Sequence, residues 1–339
     1  MGVTELIILY LALAAGLVFL SDKLGKYIDL LDKKTKISGA FLGGVLLAAV
    51  TSLPELFTSI SATLLVGEKE LVVGNILGSN LFNLFVLGAC LIIFFNLFRK
   101  SKVEYKTHFF TFLGLSIIYP LICYGLLVDD KYQPQIGPIN IICMIILVIY
   151  GLTIFFQPKE SEENDDEEKE EDTSPLTVKQ IVTRFIICSV ALVSISIAIT
   201  YVTDGLGEKL NLSATVAGAL FLAVATSLPE LVSCISLCRR GNFNAGLGDI
   251  IGSCLFNFCI IGLAEIMSYD GSLLVRNNVD AINMTWLTII CLVILFATLL
   301  IKKIIIDKKS QDEKLTWFNI LTIGCGLVLV SGYIVFLII

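Results

Sequence analysis

The chain has 339 residues, of which 56% are hydrophobic and only 16% charged, with a formal net charge of -6. That balance excludes a soluble domain of this length and places the chain in a bilayer. The acidic net charge is local: ten carboxylates crowd between Glu160 and Asp172, the other loops are basic, and no nucleic-acid partner is expected.

Spanning hydrocarbon takes about 20 predominantly apolar residues per helix. Ten such runs follow one another, near 4–20, 37–65, 71–97, 107–127, 138–156, 179–203, 212–238, 245–268, 282–301 and 316–338. The first lacks the basic flank and small-residue cleavage site of a secretory signal and is read as a retained helix. All ten cysteines fall within apolar segments, where they act as small hydrophobes and imply no disulfide framework. Cys234 and Cys238 stand one helical turn apart and offer a soft-metal pair, with Cys254 or Cys259 nearby, but the one histidine, His108, opens a different helix and packing is the favoured reading.

Between the fifth and sixth runs, the acidic stretch bounded by Pro158 and Pro175 cannot bury enough apolar surface to fold, and it lacks the ligand spacing and turn glycine of a calcium loop. It reads as a solvated linker. Counting Lys and Arg by loop puts 20 of the 24 on one side, with Lys69, Lys131, Lys209 and Arg276 on the other. Basic loops mark the cytoplasmic face, so both termini are expected outside and the acidic linker in the cytoplasm, in a plasma (inner) membrane.

Two stretches repeat. GGVLLAAVTSLPELFTSIS, followed by GNILGSNLFNLFVLG, covers the second and third runs; AGALFLAVATSLPELVSCIS, followed by GDIIGSCLFNFCIIG, covers the seventh and eighth. Each half holds five helices, an odd number, so the second copy enters the membrane from the opposite side, a signature of secondary transporters whose substrate site lies near the midplane. The expected fold is an all-α membrane protein with ten transmembrane helices in two inverted five-helix repeats. Residues 1–156 form the first (motif copy 37–88) and 179–339 the second (motif copy 212–262), with 157–178 as the linker.

The second run spans 29 residues, about 43 Å as a helix, and is expected to bend. Pro54 frees the carbonyl of Val50 and Pro229 that of Ala225. Beside them stand Glu55 and Glu230, carboxylates at a depth where charge costs at least a few kcal/mol unless compensated. No lysine or arginine occupies the middle of any run, so the balancing charge must come from solution.

Helical spacing puts Thr51 and Ser52 on the face of Glu55, and Thr226 and Ser227 on that of Glu230. Ser79 shares a face with Asn83, and Ser253 with Asn257. This inventory is all oxygen, which suits calcium, and two carboxylates match one calcium ion in charge. Taken singly, the serines, threonines, asparagines and glycines also fit plain helix packing. Asp249 is read as a cap for the eighth helix rather than a supplementary ligand, while Asn80 and Cys254 are expected to face away.

At TSLPEL, GNILGSNLFN and their second copies the chain resembles the cation/calcium exchanger superfamily and, within it, the sodium/calcium exchangers. The resemblance implies alternating access at one central site, with helices one and six sliding as a gate. It also implies that Glu55 and Glu230 coordinate calcium and sodium, that Thr51, Ser52, Thr226 and Ser227 contribute to sodium sites, and that carbonyls of Ala48 and Ala223 join Ser79, Asn83, Ser253 and Asn257 as ligands. Asparagine at position 257, where some relatives carry aspartate, argues against potassium co-transport. Calcium and sodium are thus expected as substrates and no cofactor is expected.

Three other readings stay open. A calcium/proton antiporter can use the same carboxylates. GLGD at Gly246 to Asp249 matches the G-x-G-D element of intramembrane aspartyl proteases, although the Tyr-Asp partner those enzymes carry on an earlier helix is missing. A channel fits less well, because two full charges at midplane favour occlusion over fast release.

Overall fold

The computed structural model describes residues 2–35, 52–101, 103, 105–157, 176–268, 271–306 and 315–339. Most of the acidic linker and the first part of the second apolar run, including Ala48, Val50 and Thr51, lie outside the described residues.

Helices dominate. They are α1 (Val3–Thr35), α2 (Leu53–Ser61), α3 (Lys69–Ile93), α4 (Phe95–Lys100), α5 (Tyr105–Leu127) and α6 (Ile141–Phe156). The second half holds α7 (Val178–Leu210), α8 (Ala214–Ala217), α9 (Ala223–Thr226), α10 (Leu228–Arg239), α11 (Phe243–Met267), α12 (Val279–Ile301) and α13 (Leu315–Ile338). Wider π turns follow α2 (Ala62–Val66), join α8 to α9 (Gly218–Leu222) and extend α12 (Lys302–Ile306). A small antiparallel hairpin, β1 (Gln135–Ile136) with β2 (Ile139–Asn140), precedes α6, with Gly137 at its turn (φ 61°).

Among the described residues seven helices are long and apolar enough to cross a membrane, and the bent pair Ala214–Thr226 and Leu228–Arg239 makes an eighth span if counted as one. Two shorter apolar helices, Leu53–Val66 and Ile141–Phe156, occupy the places of the second and fifth runs.

Helix ends depart from the apolar runs where local chemistry outlasts hydropathy. α1 continues to Thr35 through a polar stretch braced by Lys26 and Asp22, one turn apart and 2.6 Å between charged atoms. α7 opens on a capping box, in which the Thr177 hydroxyl accepts from the Gln180 N–H and the Gln180 side chain accepts from the Thr177 N–H. It runs on to Leu210 and closes at Asn211 in the left-handed conformation.

α3 lies at the centre, packed against α11, α12, α13 and the α8–α9 segment, whereas α1 and α7 pack along each other at the periphery. The apolar stretch of α3 is 78% buried and that of α1 17%. Exposed Ile8, Leu11 and Phe19 on α1 suit contact with lipid tails. Lipid supplies no hydrophobic drive between helices, so close backbone approach matters more. At Gly74 a Cβ would stand 2.1 Å from the Thr215 carbonyl oxygen, and at Gly78 2.5 Å from the Ala219 Cα, so only glycine lets α3 seat against the second repeat motif.

Candidate cation site

Proline is tolerated in the first turn of a helix but cannot continue the one before it, so each TSLPEL must break the chain ahead of its glutamate. The helix that carries each glutamate starts just after the serine. Ser52 (φ -91°, ψ 12°) and Ser227 (φ -89°, ψ 6°) share one non-helical geometry ahead of α2 and α10, and in the second copy the axis turns by 51°.

That break changes which glutamate each serine serves. The Ser52 hydroxyl donates to Glu230 Oε1 at 3.2 Å, and the Ser227 hydroxyl donates to Glu55 Oε1 at 3.0 Å. Placing each serine on the face of its own glutamate, three residues on, assumed a continuous helix; with the serine outside it, the hydroxyl reaches the opposite copy. The two motifs therefore interlock.

Glu55 and Glu230 are 1% and 0% exposed, and their second oxygens, both Oε2, have no hydrogen-bond partner. Nor do Ser79 Oγ, Ser253 Oγ, Asn83 Oδ1 and Asn257 Oδ1. These six oxygens form three pairs matched between the copies. Each buried polar atom left without a partner costs about 1–3 kcal/mol, so six in matched positions point to a ligand class rather than to packing error. Among the described residues no lysine, arginine or histidine is paired with either glutamate. Buried Lys302, at the end of α12, donates instead to the Ser101 carbonyl at 2.7 Å and lies over the Phe98 ring.

Other expected ligands are engaged locally. Thr226 Oγ1 donates back to the Leu222 carbonyl at 3.0 Å, and the Ala223 carbonyl accepts the Ser227 N–H at 3.0 Å. Thr51 and Ala48 lie outside the described residues.

Asn75 has a larger part than its place in the motif suggested. Fully buried, it donates to Thr58 Oγ1 at 3.2 Å and Ser59 Oγ at 3.1 Å, and its Oδ1 lies 3.4 Å from Thr226 Oγ1, tying α2 and α9 to α3. The cue was available: an amide one turn before Ser79 in an apolar helix. Its counterpart Asp249 lies beside Ser233, the counterpart of Thr58.

Asp249 is not a helix cap. α11 begins at Phe243 and is capped by Asn242, whose side chain accepts from the Ala245 N–H at 3.1 Å, leaving Asp249 in the second turn with Oδ2 unpartnered. The asparagine in the loop supplied a better cap than the acid inside the helix. Asn80 does not turn away from the site either, since Asn257 donates to its Oδ1 at 2.9 Å while Asn80 donates to the Tyr119 hydroxyl at 3.2 Å. Cys254 Sγ approaches the Asn80 carbonyl at 3.8 Å, so the thiol beside Cys234 and Cys238 is neither Cys254 nor Cys259 but Cys90.

Glu265 shows what a structural acid looks like here. Its Oε1 accepts the Asn140 N–H and its Oε2 the Leu273 N–H, each at 2.8 Å, so both oxygens are used in fastening loops.

The arrangement can bind a hard cation through two carboxylates, hydroxyls and amide carbonyls, the donor set calcium takes in numbers of about 6–8. The family model described as sodium/calcium exchanger protein matches residues 5–158 and 181–339. The sodium/calcium exchanger MaX1 of Methanosarcina acetivorans is 27% identical over 295 residues, covering 76% of this chain and 82% of that protein. Inner membrane protein YrbG of Escherichia coli is 25% identical over 265 residues, covering 74% and 76%. In fold, the chain is similar to the crystal structure of the H+/Ca2+ exchanger CAX, with a TM-score of 0.64 at 14% identity, covering 98% of this chain and 89% of that one. Nothing in these likenesses supports a peptidase at GLGD. By the match along both halves, this chain belongs to the sodium/calcium exchanger protein family, whose members are integral membrane transporters and not enzymes.

Proposed function

We propose that the chain exchanges calcium for sodium across a bilayer by alternating access at one site shared by Glu55 and Glu230. The observation that carries this reading is the interlocked pair of motifs with an unpartnered oxygen on each glutamate. Two carboxylates neutralise one calcium ion, and two sodium ions neutralise them equally well. Crossing with the site empty strands two negative charges in low dielectric, so the cargo-free transition is penalised and exchange is favoured over leak.

The ligand set is Glu55, Glu230, Ser79, Ser253, Asn83 and Asn257, with Ser52, Ser227, Thr51, Thr226 and the carbonyls of Ala48 and Ala223 serving sodium or completing the shell. Ten spans in two inverted halves, 1–156 and 179–339 about the 157–178 linker, accommodate this site at the midplane. The shared non-helical geometry of Ser52 and Ser227 and the bend in the second copy support that arrangement, and the peripheral pairing of α1 and α7 supports their sliding as a gate. Lysines and arginines concentrated in one set of loops support outward termini and a cytoplasmic acidic linker in the plasma (inner) membrane.

Sodium is preferred as the counter-ion because MaX1, alike over most of both chains, is named a sodium/calcium exchanger. Protons are the rival, since they neutralise a carboxylate too. Radiolabelled calcium flux into proteoliposomes, with sodium, potassium and proton gradients imposed one at a time, separates them. Uptake is expected to follow sodium and ignore potassium; uptake that follows pH at fixed sodium transfers the role to protons.

A further inference from the structure

Three thiols converge one helical turn beyond Glu230. Cys90 on α3 and Cys234 and Cys238 on α10 are buried, and their Sγ atoms lie within 4.8 Å of one another. Cys234 Sγ stands 3.9 Å from both Cys90 Sγ and Cys238 Sγ. A metal ion about 2.3 Å from each of three thiolates at tetrahedral angles holds the sulfurs about 3.8 Å apart, close to the spacing of the two pairs given.

The cluster joins the two halves and is not repeated in them. In the first copy the places of Cys234 and Cys238 are taken by Ser59 and Thr63. Soft sulfur donors select zinc-like and copper-like ions over calcium, whereas the carboxylate site prefers hard ions, so the two sites sort cations by chemistry. Access is short: Cys238 precedes Arg239 and Arg240, both exposed at the end of α10. Asp249, with an unpartnered oxygen, is within electrostatic reach of Cys238 and adds negative potential there.

We propose that Cys90, Cys234 and Cys238 form a second, inhibitory metal site for a soft thiophilic divalent cation such as Zn2+. The thiols release their protons to water as the thiolates engage the metal, which leaves three sulfur ligands and an open fourth position. Cys234 is one turn beyond Glu230, about 6 Å along the helix, and Cys90 lies seven residues beyond Asn83. A bound ion staples α3 to α10, fixes the helix of Ser79 and Asn83 against that of Glu230, and stops the transport cycle.

The test uses the full chain in lipid nanodiscs, stripped with chelator, with calcium in excess to keep the oxygen donors filled and Cd2+ as the probe. A sulfur-to-metal charge-transfer band in the ultraviolet is expected to saturate at one Cd2+ per chain and to be competed away by Zn2+. It is lost in Cys90→Ser, Cys234→Ser and Cys238→Ser and kept in Cys254→Ser and Cys259→Ser. No band, or a band untouched by Cys90→Ser, overturns the site.

Should Cys90→Ser fail to fold, wild-type chain supplies a second measurement: Zn2+ must protect Cys90, Cys234 and Cys238, but not Cys123, from thiol alkylation, and unprotected labelling overturns the site. In proteoliposomes Zn2+ is expected to slow calcium flux at least tenfold in wild type and not in Cys90→Ser. Equal inhibition of both removes the regulatory role. The band is read without flux, so its absence leaves the exchange reading standing and a failure of exchange leaves the band to be judged alone.

Discussion

Ser227 donates its hydroxyl to Glu55 across 3.0 Å, although 172 residues separate them, and Ser52 returns the same bond to Glu230. Each motif thus orients the acid of the other. This directs one oxygen of each carboxylate at a fixed donor and leaves the second without a partner, which under the proposed function takes the cargo.

Removing either donor is expected to weaken calcium binding without abolishing it. A hydrogen bond to a charged group contributes about 1.5–3 kcal/mol, so Ser52→Ala and Ser227→Ala should each raise the calcium concentration for half-maximal flux roughly 10- to 150-fold. Because the two bonds hold one ion between them, the double variant should lose less than the product of the singles. Calcium-dependent flux in proteoliposomes measures this; a silent Ser227→Ala would dismiss the interlock as a packing detail.

Glu55→Gln and Glu230→Gln should each abolish calcium exchange while the protein still folds. The amide keeps the shape and still accepts from the serine, but it removes the charge that calcium must neutralise. A ligand at 100 times its dissociation constant stabilises the folded state by about 2.7 kcal/mol. Calcium should therefore raise the melting temperature of wild type and leave that of both variants unchanged, with the variants no less stable in calcium-free buffer. Near-normal flux in either variant contradicts the site.

How far the sequence alone reached depended on whether a pattern was local. The motif pair, the burial of its two acids and the bend before Glu230 were legible because proline, acid and repeat announce themselves at fixed spacing. The partner of each serine was not, since helical spacing speaks only within an unbroken helix and Ser52 and Ser227 stand just outside the helices that carry the glutamates. Asn75, Asn80 and Cys90 gained their contacts from other helices, Thr58 and Ser59, Asn257, and Cys234 respectively, and no sequence period encodes those meetings. Asp249 sits inside the helix rather than at its cap because Asn242, seven residues earlier, starts the helix sooner than hydropathy does.

Glu265 separates burial from transport. Both of its oxygens accept backbone N–H groups, so Glu265→Gln must present an amide donor to one of them and cost about 1–3 kcal/mol. Thermal unfolding of the purified protein should shift downward while calcium flux per folded molecule stays unchanged. If flux were lost at full stability, Glu265 would have to join the cargo path.

Gly74 tests the packing that brings the two motifs together. A Cβ there meets the Thr215 carbonyl oxygen at 2.1 Å and the Thr215 Cα at 2.9 Å, backbone atoms that cannot rotate away, whereas one at Gly151 meets nothing within 4 Å. Overpacking a filled interior costs typically about 1–3 kcal/mol and sometimes more. Gly74→Ala should therefore lower the melting temperature and push α3 off the α8–α9 segment, moving Asn75 away from Thr226 and weakening calcium binding along with stability. Gly151→Ala should change neither. If Gly74→Ala proved as benign as Gly151→Ala in both unfolding and flux, α3 could not be seated against the second motif as tightly as its glycines allow, and the two glutamates would lose the scaffold that sets them face to face.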